Sequence, residues 1–511
     1  MTTAYLLGID AGTSVIKSVL FTLDGREVAS AAQSTTILHP QPTWAEQDMD
    51  AVWQAVVTTV RQVIGESGAP PTAIRAIGLT GQGDGTWLVD REHRPVRPAI
   101  IWLDGRVADD VRQCQQDGLS AAIFQITGTV LNTSNQALHL RWLQKNEPET
   151  LVKASAALRA KDWIFLQMTG QVSTDETDAS YTYFSTQTQA YAEPIFQLLD
   201  IATWRHLIPL ARPAYMNQAE LQPTVAAALG LPSGLPVVCG PFDVAATDLG
   251  AGVLMPGDAC TILGTAGIHQ LVMAEPNAAP ENIGYTMRHA PPNRFVRLLP
   301  TMTGTLNLQW FVEKFYSHEK AAADQAKRNF WDELEQLAAA VPLGADGVLY
   351  HPYIDPAGER APFVRPEARA QFTGIHVHHG REHLLRAVYQ GVALSALDCY
   401  NRLPTPVTAL KLAGGGARSP FWSQMFADAL GCPVSIVEGQ EFGAKGAALN
   451  AGVAIGLYPS YEQAVAQTVR PARTYEPALA KTKLYHELLT LYRNTYTAMF
   501  PIWAQQEALL R

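Results

Sequence analysis

Residues 5–21 read YLLGIDAGTSVIKSVLF. Two aliphatic and β-branched runs flank a short turn of Ala, Gly, Thr and Ser, which predicts strand, Gly-containing turn, strand. Residues 259–272, ACTILGTAGIHQLV, repeat the arrangement in the second half of the chain. Two such hairpins predict two similar domains, each opening with a turn the size of a phosphate.

Leu23-Asp24-Gly25-Arg26 extends the first hairpin through a tight turn into a third strand near 27–35. A helix is expected over 48–66, with Val52, Ala55, Val56, Val60 and Val63 on its apolar face and Asp48 as N-cap. A buried strand at 74–80 ends in Gly81. The second half repeats this logic: strands near 259–272, a helix near 381–401, a strand at 407–413 ending in Gly414-Gly415-Gly416, and a helix at 418–431. Alternating strands and helices predict α/β layers. The boundary is placed near residue 250, dividing the chain into domains 1–249 and 250–511.

Bulk properties fit this picture. At about 100–200 residues per domain, 511 residues suggest two to four domains. A net charge of -9 argues against a nucleic-acid partner, which calls for a basic face, and against an anionic membrane. No apolar run reaches the ~18 residues of a membrane span. The first residues lack a basic n-region and Asp10 interrupts their apolar stretch, so no signal peptide is read. Cys114, Cys239, Cys260, Cys399 and Cys432 are scattered and read as buried, reduced thiols of a cytoplasmic protein. His376, His378, His379 and His383 read as an exposed turn rather than a metal site.

Four segments carry chemistry. Asp10-Ala11-Gly12-Thr13-Ser14, with Lys17 beyond, offers backbone N–H groups, a hydroxyl and a cation to a phosphate, and a carboxylate to Mg²⁺. It reads equally as an ordinary hairpin, and it is not a Walker loop. Gly264-Thr265-Ala266-Gly267 has the same chemistry and the same ambiguity. Gly240-Pro241-Phe242-Asp243 places a carboxylate at the C-terminal end of an apolar strand, suited to accept a proton from an attacking hydroxyl; the alternative is a helix N-cap. Gly414-Gly415-Gly416, followed by Ser419, lets backbone approach a flat ligand or simply makes a tight connection.

Taken in order, these segments resemble the FGGY carbohydrate kinase family. The resemblance covers almost the whole chain. It also rests on Trp44-Ala45-Glu46-Gln47-Asp48, AIIWLDGR (99–106), AKDWIFLQMTG (160–170), Gly358-Glu359-Arg360, and Gly443-Ala444 with Gly446-Ala447-Ala448. It implies an α/β fold of two ribonuclease-H-like (actin/hexokinase-type) domains with an interdomain cleft that closes on ATP and a sugar. It further implies that Asp243 is the catalytic base, that Asp10 and Asp243 serve Mg²⁺, and that Gly12, Thr13, Ser14 and Lys17 meet the terminal phosphates. By the same resemblance Gly264 and Thr265 form the second phosphate loop, Gly304 and Gln309 lie near the nucleotide, and Gly415, Gly416 and Ser419 border adenosine.

The acceptor is read from Gly81-Gln82-Gly83-Asp84-Gly85. D-xylulose kinases show Gln-Met-His-Gly there and glycerol kinases Gln-Arg-Glu; this chain has neither, and its segment is closer to L-xylulose and erythritol kinases. Gln82 stands at the strand end, Gly83 is expected to leave space, and Asp84 to accept from two adjacent hydroxyls, unless it is a turn residue. Trp44, Glu46, Gln47, Trp102, Asp104 and Arg106 are further candidates to line the sugar. Trp102 reads equally as core, and Arg106 as an ion-pair partner of Asp104 or Asp109. The expected activity is phosphorylation of a xylulose-type pentulose, with a short polyol of erythritol or glycerol type as the alternative. A non-catalytic sugar sensor is a remote third, disfavoured because Asp10, Thr13, Asp243 and Thr265 are all present. The expected partners are a small sugar or polyol only, with a homodimer allowed.

Overall fold

The computed structural model describes residues 4–510. The chain forms two compact units, one from residues 1–255, 272–296 and 438–470, the other from 256–271, 297–437 and 471–511. Grouping by contacts differs from the expected division into 1–249 and 250–511 in placing residues 438–470 with the first unit.

The first unit is built on strands β1 (Tyr5–Ala11), β2 (Val15–Thr22), β3 (Glu27–Ser34), β4 (Ile74–Gly81), β5 (Gln218–Glu220) and β6 (Pro236–Cys239). They lie in the order β5-β6-β4-β1-β2-β3. β1 pairs antiparallel with β2 and parallel with β4, and β4 pairs parallel with β6. The central strands are apolar on both faces because both faces are covered. Leu7, Ile9, Leu20, Ile77, Leu79 and Val237 pack with α1 (Met49–Ser67), while the alternate residues Leu6, Val19, Ala76 and Val238 pack against the opposite layer. Asp48 caps α1 as expected, accepting from Asp50 N and Ala51 N.

The opposite layer contains α2 (Asp243–Ala251) and the helix Phe442–Ala454. The second helix explains the discontinuous unit. Its backbone lies directly on the sheet: a Cβ on Gly8 would collide with the carbonyl oxygen of Ala444, and one on Gly78 with that of Ala447. Its Gly446 meets the Ala246 carbonyl of α2, and Gly250 of α2 meets that of Phe442. Four glycines thus permit a backbone-to-backbone approach that any side chain would prevent.

The second unit repeats the topology. Its strands β7 (Asp258–Leu263), β8 (Gly267–Met273), β9 (Phe295–Thr301), β10 (Ala409–Ala413), β11 (Val434–Val437) and β12 (Pro471–Tyr475) run in the order β9-β8-β7-β10-β11-β12. β7 pairs antiparallel with β8 and parallel with β10, as β1 does with β2 and β4. The two hairpins read from the sequence therefore occupy equivalent places. Helices α3 (Leu306–Phe315), α4 (Phe330–Ala340), α5 (Arg381–Tyr400), α6 (Pro420–Leu430) and α7 (Leu479–Leu510) complete the part of the unit used below. All five cysteines are buried, and none is in a disulfide among the described residues. The histidine segment 376–379 is mostly exposed, and among the described residues no group of His, Cys, Asp and Glu gathers as a metal site. Among those residues, no helix is long and apolar enough to cross a membrane.

Candidate active site

In the first unit the ends of β1, β4 and β6 bring three carboxylates into one electrostatic group. Asp10 closes β1. Its Oδ1 is buried without a hydrogen-bond partner, and Oδ2 lies where a Cβ on Gly443 would stand 2.5 Å away. Burial pushes its pKa up to about 6; Lys17 pulls it down and Glu441 raises it. Lys17 is itself paired with Glu441 at 2.7 Å.

Asp243 follows β6 as the first residue of α2. The cap position belongs to Phe242, whose side chain makes no capping bond, so the N-cap alternative for Asp243 does not hold. The turn before it is fixed from both sides. Thr80 Oγ1 donates to Pro241 O at 2.7 Å, and Phe242 N donates to Thr177 Oγ1 at 2.8 Å. Burial raises the Asp243 pKa well above the carboxylate range; the negative charges of Asp10, Asp178 and Asp84 add to this, against the Val244 N–H.

Asp84 follows β4 with φ 56°, left-handed backbone that Asp tolerates better than most residues. Its Oδ2 accepts from Ser134 Oγ at 2.7 Å, while Oδ1 is buried without a partner. Burial pushes its pKa up to about 7, against the Ser134 hydrogen bond, Arg159 and Tyr181. Asp84 is thus both a turn residue and a carboxyl with an uncommitted oxygen.

The turn after β1 is tied to the same region. Thr13 Oγ1 donates to Gln82 Oε1 at 3.1 Å and accepts from Trp102 Nε1 at 2.7 Å. Thr13 O accepts from Thr35 Oγ1 at 2.6 Å and Gln47 Nε2 at 2.7 Å, and Gln82 Nε2 donates to Gln47 Oε1 at 2.7 Å. Gly12 and Thr13 are half-buried and Ser14 is exposed.

In the second unit the turn after β7 is clasped to the start of α3. Gly304 N donates to Thr265 O at 2.6 Å, and Thr305 N and Oγ1 donate to Gly264 O at 2.7 and 2.9 Å. A Cβ on Gly304 would stand 2.7 Å from Gly264 O, so the clasp requires glycine there. Thr265 and Gln309 are exposed. Of the glycines after β10, only Gly415 faces open space; Gly414 and Gly416 lie against Leu263. Ser419 caps α6, its Oγ accepting from Trp422 N at 2.9 Å.

Two sheets of one topology, each with a small-residue turn after its first strand, carry carboxylates in the first unit and an exposed clasped turn in the second. The comparisons agree with this. The N-terminal domain of the FGGY family of carbohydrate kinases matches residues 5–250, and its C-terminal domain matches residues 259–455. The chain belongs to that family.

The kinase is 34% identical over 505 residues to erythritol kinase of Brucella abortus, covering 98% of this chain and 97% of that one. It is 30% identical to L-xylulose/3-keto-L-gulonate kinase of Escherichia coli, over 97% of each chain. Among solved structures, xylulose kinase from Rhodospirillum rubrum superposes with TM-score 0.87 at 27% identity, covering 98% of this chain and all of that one. The kinase is a phosphotransferase with an alcohol group of a sugar or polyol as acceptor.

Several sequence expectations for the kinase need correction. Gly83 opens no space, because the Phe242 ring occupies the volume a Cβ would take. Asp104 is fully buried and its two oxygens accept four hydrogen bonds, from Ala45 N, Arg106 N, Arg106 Nε and Arg106 Nη2, so nothing is left for a sugar. Arg106 pairs with Asp104 and Glu46, not Asp109, and stacks on Trp44 at 4.0 Å. Trp102 is 42% exposed, not core. Gln82 is buried and holds the Thr13 turn through its amide. Gly416 is small for Leu263 rather than for a ligand.

Three further residues of this region lie outside the candidates. Ser134 and Tyr181 flank Asp84 from segments whose sequence gave no signal. Lys161, inside the quoted AKDW stretch, is fully buried with Nζ at 2.8 Å from Asp162 and 2.9 Å from both Asp175 and Asp178. Burial pulls the Lys161 pKa down, but the three carboxylates outweigh it and hold the ammonium above its ordinary value. A buried Lys beside an Asp was the available signal, since such a charge must be paired.

Proposed function

We propose that this kinase transfers the γ-phosphoryl group of ATP to a hydroxyl of an acyclic four- or five-carbon polyol or keto-sugar, with Asp243 as general base. The observation that carries the reading is the placing of Asp243, Asp10 and Asp84 at the ends of three adjacent strands, with one buried oxygen each of Asp10 and Asp84 left without a hydrogen-bond partner. A carboxylate held in that position is the kind of group that takes the proton of an attacking hydroxyl. Asp243 accepts the proton of the acceptor hydroxyl as its oxygen attacks phosphorus. Thr13 Oγ1 and the backbone around Gly12 meet the terminal phosphates, and Lys17, held by Glu441, supplies positive charge beside them. Gly264, Thr265, Gly304, Gln309, Gly415 and Ser419 serve the nucleotide.

Mg²⁺ suits Asp10. The ion is held by one or two carboxylates together with water and phosphate oxygens. The buried, unpartnered Oδ1 of Asp10, with Asp243 as a second negative charge close by, is a donor set of that kind. When bound, the cation neutralises phosphate charge.

Asp84 reads the acceptor. Its uncommitted Oδ1 is available to vicinal hydroxyls, and the exposed face of Trp102 to C–H groups. Two acceptors fit: the xylulose-type pentulose expected from sequence, supported by the L-xylulose and xylulose kinase relatives, and erythritol, supported by the 34% identical relative. Five buried cysteines outside any disulfide support a cytoplasmic location. Coupled ADP release with D- and L-xylulose, xylitol, erythritol and glycerol tests the reading. Preferred turnover of one four- or five-carbon acceptor is expected; ATP turnover indifferent to every acceptor would end it.

A further inference from the structure

The second unit holds a cavity of about 290 Å³ lined by Val341 and Pro342 after α4, Arg386 of α5, Phe421, Met425 and Asp428 of α6, and Lys481 and Tyr485 of α7. That volume lies at the lower end of small-molecule pockets. None of these residues belongs to the set assigned to nucleotide or acceptor.

The charges around the cavity do not balance. Arg386 is about nine-tenths buried. Its Nε donates to Gln390 Oε1 at 2.9 Å, and its guanidinium carbon lies 4.9 Å from the Phe421 ring centroid. Among the described residues it forms no ion pair. Asp428, the nearby acid, is already satisfied: Oδ1 accepts from Gln424 Nε2 at 3.0 Å and Ala478 N at 2.9 Å, and Oδ2 from Lys481 Nζ at 3.1 Å. Glu335 of α4 is turned to the first turn of α6, where its Oε2 accepts from Phe421 N. The Asp428–Lys481 pair is neutral, so the cavity keeps the positive charge of Arg386. A buried guanidinium without an acid is costly, and an arriving oxyanion offsets that cost. The planar fork of Arg matches carboxylate or phosphate, and Phe421, Met425 and Val341 give an apolar wall for an organic body.

We propose that this cavity is a binding site for a small organic anion, its carboxylate or phosphate held by Arg386 and its apolar body laid against Phe421 and Met425.

Calorimetric titration of the full-length kinase with phenyl phosphate, benzoate and the neutral benzamide tests this, with and without ATP. Saturable binding of at least one anion is expected, unaffected by ATP, and at least tenfold tighter than benzamide. The preferred anion tells which headgroup the site favours. Arg386→Gln should weaken that binding at least tenfold with the acceptor KM unchanged. Leu343→Trp, at the half-exposed rim, should block it by filling the cavity, and it decides the matter if Arg386→Gln does not fold. Absence of binding for both anions, equal binding of benzamide, displacement by ATP, or undiminished binding in the folded variants would each overturn the proposal. Because the readout is binding, loss of the site leaves the kinase reading untouched.

Discussion

The indole Nε1 of Trp102 donates to Thr13 Oγ1 across 2.7 Å, joining an exposed aromatic ring to the turn that closes the first hairpin. The bond fixes the ring, and Gln82 fixes the same hydroxyl from the other side. The ring face, rather than the bond, is assigned to the acceptor. Trp102→Ala should therefore raise the acceptor KM about tenfold or more, about 1.4 kcal/mol, while Trp102→Phe raises it far less. Steady-state kinetics on both variants check this; equal losses would take the ring out of acceptor binding.

Asp243→Asn should lower kcat by about 10²- to 10⁴-fold, the usual contribution of a general base. Affinity for ATP without Mg²⁺, by calorimetry, should stay within about threefold, since the lost group handles a proton and the cation rather than the nucleotide itself. The melting temperature should rise, because a half-buried carboxylate repelled by the charges of Asp10 and Asp178 is removed. Retained turnover would reassign the base.

Asp84 and Asp10 make the fold less stable as pH rises. Their folded pKa values, about 7 and about 6, lie above the ordinary 3.8. Between about pH 4 and 7 the folded protein binds more protons at these sites than the unfolded chain, so their contribution is full below that window and lost through it. Asp84→Asn should flatten the decline in melting temperature over pH 4–7 and raise it at pH 8. An unchanged profile in differential scanning calorimetry would place Asp84 in contact with water.

Gly83→Ala should reduce turnover by displacing the Phe242 ring, and with it the residue next to Asp243. If so, Gly83→Ala with Phe242→Leu recovers activity that neither change explains by addition, a coupling read from a double-mutant cycle. Additive losses would return Gly83 to direct acceptor contact.

Gly446→Ala should destabilise the first unit by about 1–3 kcal/mol, the cost of overpacking. The added Cβ meets the Ala246 backbone, which cannot rotate away. Chemical denaturation checks this; a neutral result would mean the helix Phe442–Ala454 sits further from α2 than described.

The two hairpins, the capped helix α1 and the ends of β1, β4 and β6 were legible in the sequence, because local patterning sets them. Apolar alternation defines strands, Asp48 defines a helix start, and a carboxylate after an apolar strand lies at its end. The resemblance to the family was likewise carried by ordered short segments. What stayed illegible depends on which side chain enters which volume. Gly83 predicts space, yet Phe242, far along the chain, fills it. Asp104 predicts a sugar ligand, yet Arg106 consumes it. Residues 438–470 follow the second domain in sequence, yet the glycine contacts, the Lys17–Glu441 pair and apolar packing group them with the first unit. Sequence alone determined the two hairpins, the strands and helices with clear apolar period, and the carboxylates at the strand ends, since backbone propensity and period are properties of neighbours. Tertiary structure alone decided the raised pKa values and the partners of Trp102, Asp84 and Lys161, since burial and charge act through space between residues that no local pattern links.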